Sequence, residues 1–351
     1  MSAIVSTAEI DALLAADSPV AIGVSGGKDS QAAALATFDH LDSIGHRGPR
    51  VLIHSDLGSV EWNESLPVCR RLAAYLGVEL IVVSRKAGGL LERWQSRWES
   101  SVRRYENLET VTLVLPWSTP SMRFCTSELK THVIAAELRR RFKGQTVVNV
   151  TGVRREESAA RAKGSIASRD ADGKAWSWRP ISDWTVAQVF ERIAASGLSP
   201  HEAYTRFGMS RVSCRFCIMS NASDMAAASA APESHGLYRN MVDMEIVSTF
   251  GFQGSRWLAD VAPHLLSNYV RAEVTQAKHR AAERVALEKL ITEEMLYVKG
   301  WPTRMLTDAE ATTLAKVRKG VSELIGLRSR YLDVASIHGR YAELMAQKVA
   351  A

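Results

Sequence analysis

The sequence predicts an α/β fold: a mainly parallel, doubly wound sheet of Rossmann-like type with a helical C-terminal extension. Three observations carry this. Apolar runs of strand length alternate with amphipathic helical patterns between Val20 and Ile193, as βαβ units require. The first apolar run breaks into a polar, glycine-rich loop just ahead of a helix. From residue 229 onward, helical periodicity continues without another strand-like run.

Taken in order, Ser6 to Glu9 forms a capping box, with Ile10, Leu13 and Leu14 behind it. Val20 to Val24 is the first strand. Leu35, Phe38 and Leu41 then mark one face of a helix running to Ile44. Gly45 to Pro49 is a turn, and Val51 to Asp56 is a second strand, apolar first and polar at its carboxyl end. A helix from Val60 to Leu76 turns Trp62, Leu66, Leu72 and Leu76 inward, and Glu79 to Ser84 is a third strand. Residues 85–121 are less regular. There Arg93, Arg97, Arg103 and Arg104 interleave with Trp94, Trp98 and Tyr105, as in an amphipathic helix with a basic outer face or in a nucleic-acid flank. Ser121 to Lys130 opens the next helix. Val147 to Thr151 is a fourth strand, Trp176 to Ile181 a fifth, and Trp184 to Ile193 a helix. Leu237 to Phe250, Tyr269 to Glu294, Asp308 to Leu324 and Ser329 to Ala346 are helical, with Gly300-Trp301-Pro302 interrupting them. The pattern divides the chain into an α/β domain over residues 1–228 and a helical region over 229–351.

Length and composition bound the rest. The chain has 351 residues, 46% of them apolar, enough for a full core. Its formal charge of +6 suits phosphorylated ligands or nucleic acid, and equally a solvated basic surface. The N-terminus lacks a basic stretch and a long apolar core, so no signal peptide is expected, and no run approaches a membrane span. A cytoplasmic protein with no membrane partner is therefore expected. In that setting the four cysteines point to metal binding or catalysis before disulfides.

The chemistry concentrates in Ser25-Gly26-Gly27-Lys28-Asp29-Ser30. Glycines let the backbone approach an anion. Freed N–H groups and the positive end of a helix dipole then face it. Ser25 and Ser30 add hydroxyls and Lys28 a charge. A Walker loop is excluded, because Ile22 stands where its first glycine belongs and Asp29 follows the lysine. A dinucleotide G-x-G-x-x-G is excluded too, because Val24 and Ser25 follow Gly23. In open α/β sheets ligands bind beyond the carboxyl ends of strands. Asp56 lies at such an end, where it would hold magnesium or the nucleotide, or cap a turn. Gly152 to Arg161 follows the fourth strand; its Arg154, Arg155 and Arg161 would clamp phosphate or sulfate, or pair with Glu156 and Glu157.

The S-G-G-x-D-S loop resembles the pyrophosphate loop of the ATP pyrophosphatases. Over residues 18–225 the chain resembles the phosphoadenosine-phosphosulfate (PAPS) reductase-like branch of the adenine nucleotide α-hydrolases. The marks are the loop, Asp56-Leu57-Gly58, Arg123-Phe124-Cys125 with Lys130, Gly152-Val153-Arg154 with Glu157, Ser158 and Arg161, Arg179 to Trp184, and Arg211 to Cys217. The resemblance implies that the loop, with Asp56 and Gly152, binds Mg-ATP through its β- and γ-phosphates and that ATP is cut at the α-phosphate. Lys28 and the loop N–H groups would stabilise departing pyrophosphate, Asp29 or Asp56 would help place Mg2+, and Arg154 or Arg161 would neutralise the second anion.

Two departures set the expected function. Reductases of this group carry a late catalytic cysteine, whereas this chain has none after Cys217; Ser336-Ile337-His338-Gly339-Arg340 has no thiol. Its loop also keeps the S-G-G-K-D-S form associated with ATP use. Members of the branch that bind a 4Fe–4S cluster use a Cys-Cys pair and a later C-x-x-C. Here Phe124 replaces the first cysteine, leaving Cys125, Cys214 and Cys217 for a 4Fe–4S cluster, for zinc with a histidine, or for no metal; Cys69 is expected to be an ordinary buried thiol. The resemblance points to an ATP pyrophosphatase acting on a nucleic-acid or protein acceptor, as in DNA phosphorothioation or CRISPR-associated defence systems, with a homodimer as a further expectation. Sulfonucleotide reduction, a sulfate-adenylating small subunit and a non-catalytic nucleotide-binding subunit are the alternatives.

Overall fold

A computed structural model describes residues 3–170 and 172–350. Met1, Ser2 and Ala351, at the ends of the two expected domains, lie outside the described residues, as does Ala171. The chain forms two compact units. The first runs to Leu91 and resumes over Pro120–Ser234; the second takes Glu92–Thr119 and resumes from His235. A single cut after residue 228 does not reproduce this, because residues 92–119 group with the C-terminal helices.

In the first unit the elements in order are α1 (Ala8–Ala15), β1 (Val20–Gly23), α2 (Lys28–Ser43), β2 (Arg50–Asp56), α3 (Ser65–Leu76), β3 (Glu79–Ser84) and the start of α4 (Leu90–Glu106). After Pro120 come a single turn, α5 (Phe124–Thr126), a π-helical turn over Ser127–Thr131, and α6 (His132–Arg141). Then follow β4 (Val147–Val150), α7 (Ala159–Ala162), β5 (Ala167–Arg169), β6 (Ala175–Trp178), α8 (Val186–Ala195), α9 (Glu202–Thr205) and α10 (Ala222–Ala230). The six strands run in the order β3-β2-β1-β4-β6-β5. All neighbouring pairs are parallel except β5 with β6. The sheet is thus mainly parallel, as the alternating pattern predicts, with one antiparallel edge.

Alternation along the strands sorts the two faces. Val20, Ile22, Leu52, Val148, Val150 and Trp178 pack into one cluster with residues of α1, α2, α3 and α8. Ala21, Val51, Ile53, Ile81 and Val147 point the other way and meet Leu138 and Phe142 of the α6 segment. Two sequence boundaries shift. The first helix is capped by Thr7 rather than Ser6, its hydroxyl accepting the Ile10 N–H. The helix expected from Val60 begins only at Ser65, because a 3-10 turn fills Gly58–Val60.

The second unit contains α4 from Glu92, α11 (His235–Ser248), α12 (Asn268–Glu288), α13 (Asp308–Ile325) and α14 (Val334–Ala350). The aromatic residues of α4 face inward. Trp98 and Tyr105 join Leu113, Val317 and Val321 in one cluster, which explains why residues 92–119 belong here. Trp94 packs edge-on against Trp117 and Phe252. These rings are core, so the amphipathic-helix reading holds and a row of exposed stacking platforms does not.

Candidate functional site

Strand order reverses direction between β1 and β4, which makes their carboxyl ends the switch point of the sheet. The loop at Ser25–Ser30 leaves β1 at this point and enters α2, a helix of 16 residues whose N-cap, Gly27, has no side-chain cap. Its partial positive end favours an anion. Gly26 has φ of +75° and lies so close to Ser65 that a Cβ would come within 2.8 Å of that residue's backbone. A side chain there is excluded twice, by conformation and by space. Gly152, after β4, is tighter still: its Cβ would lie 2.4 Å from the Asp29 carbonyl oxygen. The two glycines press the loop between α3 and the β4 exit.

Within the loop, the Ser25 N–H donates to Ser30 Oγ (3.2 Å), and Ser30 Oγ donates to the Gly27 carbonyl (2.9 Å). Lys28 is only 4% exposed; its Nζ sits 2.9 Å from Asp29 Oδ2 and 5.2 Å from the centre of the Tyr204 ring. The Tyr204 hydroxyl oxygen accepts the Lys28 N–H and the Val212 N–H, each at 3.1 Å. Ser210, which follows in that segment, is fixed to Asp224 through its own N–H and Oγ, both at 2.7 Å. Residues 201–221 therefore fold back over the loop and cap its helix.

The arginines and aspartates expected in the site take more structural places. Arg154 is 2% exposed and donates through Nε to Asp29 Oδ1 at 2.6 Å, and through Nη1 to Glu156 and the Trp184 carbonyl. Here it positions the loop from beneath. Arg161 pairs with Glu157, across the extended Ser158 that precedes α7. Arg155 pairs with Asp183. Both oxygens of Asp29 face cations, Lys28 Nζ and Arg154 Nε. Asp56 Oδ1 accepts the Gly58 N–H at 2.8 Å, which is the turn-capping role.

Cys125, Cys214 and Cys217 come into one neighbourhood. Burial pushes the Cys214 thiol well above its ordinary range; Lys130 opposes this, while Cys217, Glu61 and Cys125 add to it. All four cysteines are free thiols. Among the described residues, however, no three His, Cys, Asp or Glu side chains are arranged to hold a metal ion. As placed, the three cysteines do not fit an iron–sulfur or zinc site.

Two histidines that the sequence pattern did not single out support the loop. His201 is fully buried; burial pulls its pKa down to about 4, so it is neutral near pH 7. Its Nδ1 accepts the Ala203 N–H, which leaves Nε2–H facing Ser65 Oγ at 3.4 Å. His54 is the polar interruption in an apolar strand, and that is the signal that could have found it. Its Nδ1 lies 3.0 Å from the Val24 carbonyl, where the loop begins, and 3.8 Å from Cys69 Sγ; Nε2 lies 3.1 Å from Glu61 Oε2. Burial lowers its pKa, but the Cys69 thiol and the Glu61 carboxylate outweigh that and raise it to about 10. A base whose folded pKa exceeds its unfolded value, about 6.5, stabilises the fold fully below that value and loses the contribution as pH rises towards 10. Chemical denaturation at several pH values should show this decline, and Glu61→Gln should flatten it. Equal pH slopes in the two proteins would refute the pairing.

Comparison with known proteins identifies the family. The sequence profile of the phosphoadenosine phosphosulfate reductase domain matches residues 19–220. The chain belongs to this family. It is also 28% identical over 252 residues to the uncharacterized 37.8 kDa protein in the gpa 5′ region of Escherichia phage 186, covering 62% of this chain and 72% of that one. A crystal structure of PAPS reductase from Candida auris, in a phosphate complex, superimposes with a TM-score of 0.37 at 15% identity, over 61% of this chain and 98% of that chain. The family match spans the whole sheet and the loop. No helix among the described residues is long and apolar enough to cross a membrane.

Proposed function

We propose that the protein is a PP-loop ATP pyrophosphatase that cuts ATP at the α-phosphate, leaving AMP or an adenylated acceptor and pyrophosphate. The observation that carries this reading is the Ser25–Ser30 loop. It joins β1 to the N-terminus of α2 at the switch point of the sheet, with buried Lys28 beside it. A β- or γ-phosphate at that terminus would take the Lys28 N–H from Tyr204, and Lys28 Nζ would turn from Asp29 to the phosphate. A nucleophilic oxygen of the acceptor or of water attacks the α-phosphorus. The bond to the bridging α–β oxygen breaks, its electrons leave with pyrophosphate, and the nucleophile's proton passes to solvent. Lys28 and the helix terminus stabilise the leaving charge. Arg154 keeps Asp29 in place during this exchange.

The acceptor class we infer is a nucleic acid or a protein in a modification or mobile-element defence system. The +6 charge suits it, and a phage relative is consistent with a mobile-element setting. Magnesium bound with the triphosphate would add charge neutralisation; once Lys28 turns to the phosphate, Asp29 Oδ2 would be free to help place it while Arg154 holds Oδ1.

The family's name favours a second reading, sulfonucleotide reduction. That reaction needs a thiolate to attack sulfur. The chain has no cysteine after Cys217, and the Cys214 thiol is buried with its pKa pushed up. Incubation with PAPS and a dithiol reductant should release no sulfite. Sulfite production at enzymatic rates would replace the pyrophosphatase reading with the reductase one.

A further inference from the structure

The sheet has one poorly covered face. α6 lies across β2 and β3, where Val51, Ile53 and Ile81 meet Leu138 and Phe142. On the β1–β4–β6 side the same face carries Gly23, Asn149, Ala175 and Ser177, which are small or polar. Parallel sheets are ordinarily covered on both faces by large apolar side chains. The shortened side chains leave a cavity of about 750 Å³ between α6 and the sheet. It runs from Gly144, ahead of β4, to Gly23 and Thr151 at the carboxyl ends of β1 and β4. That volume is in the range of small-molecule sites, which pair an apolar body with a few polar groups.

The lining has a definite chemistry. Ile134, Ala135, Leu138 and Phe142 form the apolar wall. Four basic side chains border it: Lys130, Arg139, Lys143 and Lys174. The acidic lining residue is Asp170, whose carboxylate accepts the Ala175 N–H. Arg139 also pairs with Asp172, at 3.2 Å on the surface. Lys130 is carried on the π-helical turn Ser127–Thr131, a local distortion that frequently marks functional positions. Asn149 and Ser177 offer hydrogen bonds from the floor.

We propose that this cavity is a second binding site, distinct from the nucleotide loop, for a small organic anion with an aromatic or branched apolar body and a carboxylate or sulfonate group. The apolar body lies between α6 and the sheet, and the anionic group meets the lysines at the border. The inference does not depend on what the loop does with ATP.

The test uses the full chain and the fluorescent sulfonate 1-anilinonaphthalene-8-sulfonate. Saturable binding at one site is expected. Ala135→Trp, which fills the cavity from the helix, and Ser177→Phe, which fills it from the sheet, should each weaken binding at least about tenfold, as should the charge reversal Lys143→Glu with Lys174→Glu. Cooperative thermal unfolding is checked for each variant, and two filling positions guard against one that does not fold. Saturating ATP and the Lys28→Ala substitution should leave probe binding unchanged. Undiminished binding in the folded filling and charge variants would overturn the proposal. Displacement of the probe by ATP would overturn it too, by placing the probe in the nucleotide site.

Discussion

Lys28→Ala should slow pyrophosphate release from ATP by about 10²–10³-fold, the cost of removing a positioned donor from a developing oxyanion. The structure gives the reason. Lys28 Nζ is buried, 4% exposed, and held between Asp29 Oδ2 at 2.9 Å and the Ser210 carbonyl at 3.5 Å. It is therefore stationed at the α2 terminus rather than sampling solvent. Little side-chain entropy remains to be lost when it turns to a phosphate. Lys28→Arg should not restore activity, because the larger planar guanidinium cannot replace a compact ammonium beneath the Tyr204 ring. Pyrophosphate release measured in parallel for wild type, Lys28→Ala and Lys28→Arg checks this. Wild-type turnover in Lys28→Ala would remove the lysine from the mechanism.

The second large effect is one of stability and lies in the helical unit. Arg318 is fully buried and has no carboxylate partner among the described residues. Its guanidinium donates to four backbone carbonyls: Tyr105 and Arg330 at 2.8 Å, Tyr331 at 3.1 Å and Glu106 at 3.3 Å. It also lies 4.8 Å from the centre of the Tyr105 ring. One side chain thereby ties the end of α4 and the segment before α14 to α13. Burial disfavours its charge and lowers its pKa. Substitution by Met fills similar space but leaves the carbonyls without donors. Arg318→Met should destabilise the protein by about 3–5 kcal/mol. Arg318→Lys should recover only part of this, since an ammonium cannot reach four carbonyls with the geometry of a planar fork. Urea denaturation of both variants reads it directly; a loss below about 1 kcal/mol in Arg318→Met would show that the carbonyls find other donors.

Much of this protein was legible before its structure. The loop was found because its chemistry is local: strand, glycines, lysine and helix follow one another within a dozen or so residues. The β1–β4 strands and the four C-terminal helices were found from periodicity, with ends shifted by a few residues. What was missed either carries no apolar pattern or depends on residues far apart in the chain. β5 is three residues long, Ala167-Ser168-Arg169, on a sheet edge, and carries no apolar run to reveal it. Tyr204 meets the Lys28 N–H across 176 positions of sequence. Nothing near Tyr204 announces that its hydroxyl caps the loop helix. The arginines follow β4 in sequence, but burial and the nearness of Asp29 turn Arg154 inward. Sequence order cannot distinguish an arginine that grips a ligand from one that grips the loop. The cysteines show the same limit: the fold brings Cys214 and Cys217 near Cys125, but among the described residues not into a geometry that holds a metal.

The central claim is that this loop serves cleavage at the α-phosphate. The most direct measurement is incubation of the full chain with magnesium and ATP labelled at the α-phosphate, with and without single-stranded DNA, followed by separation of the nucleotides. The account predicts labelled AMP, or labelled adenylate attached to the acceptor, with an equal amount of pyrophosphate. Labelled ADP, or ATP recovered intact under every condition, would contradict it.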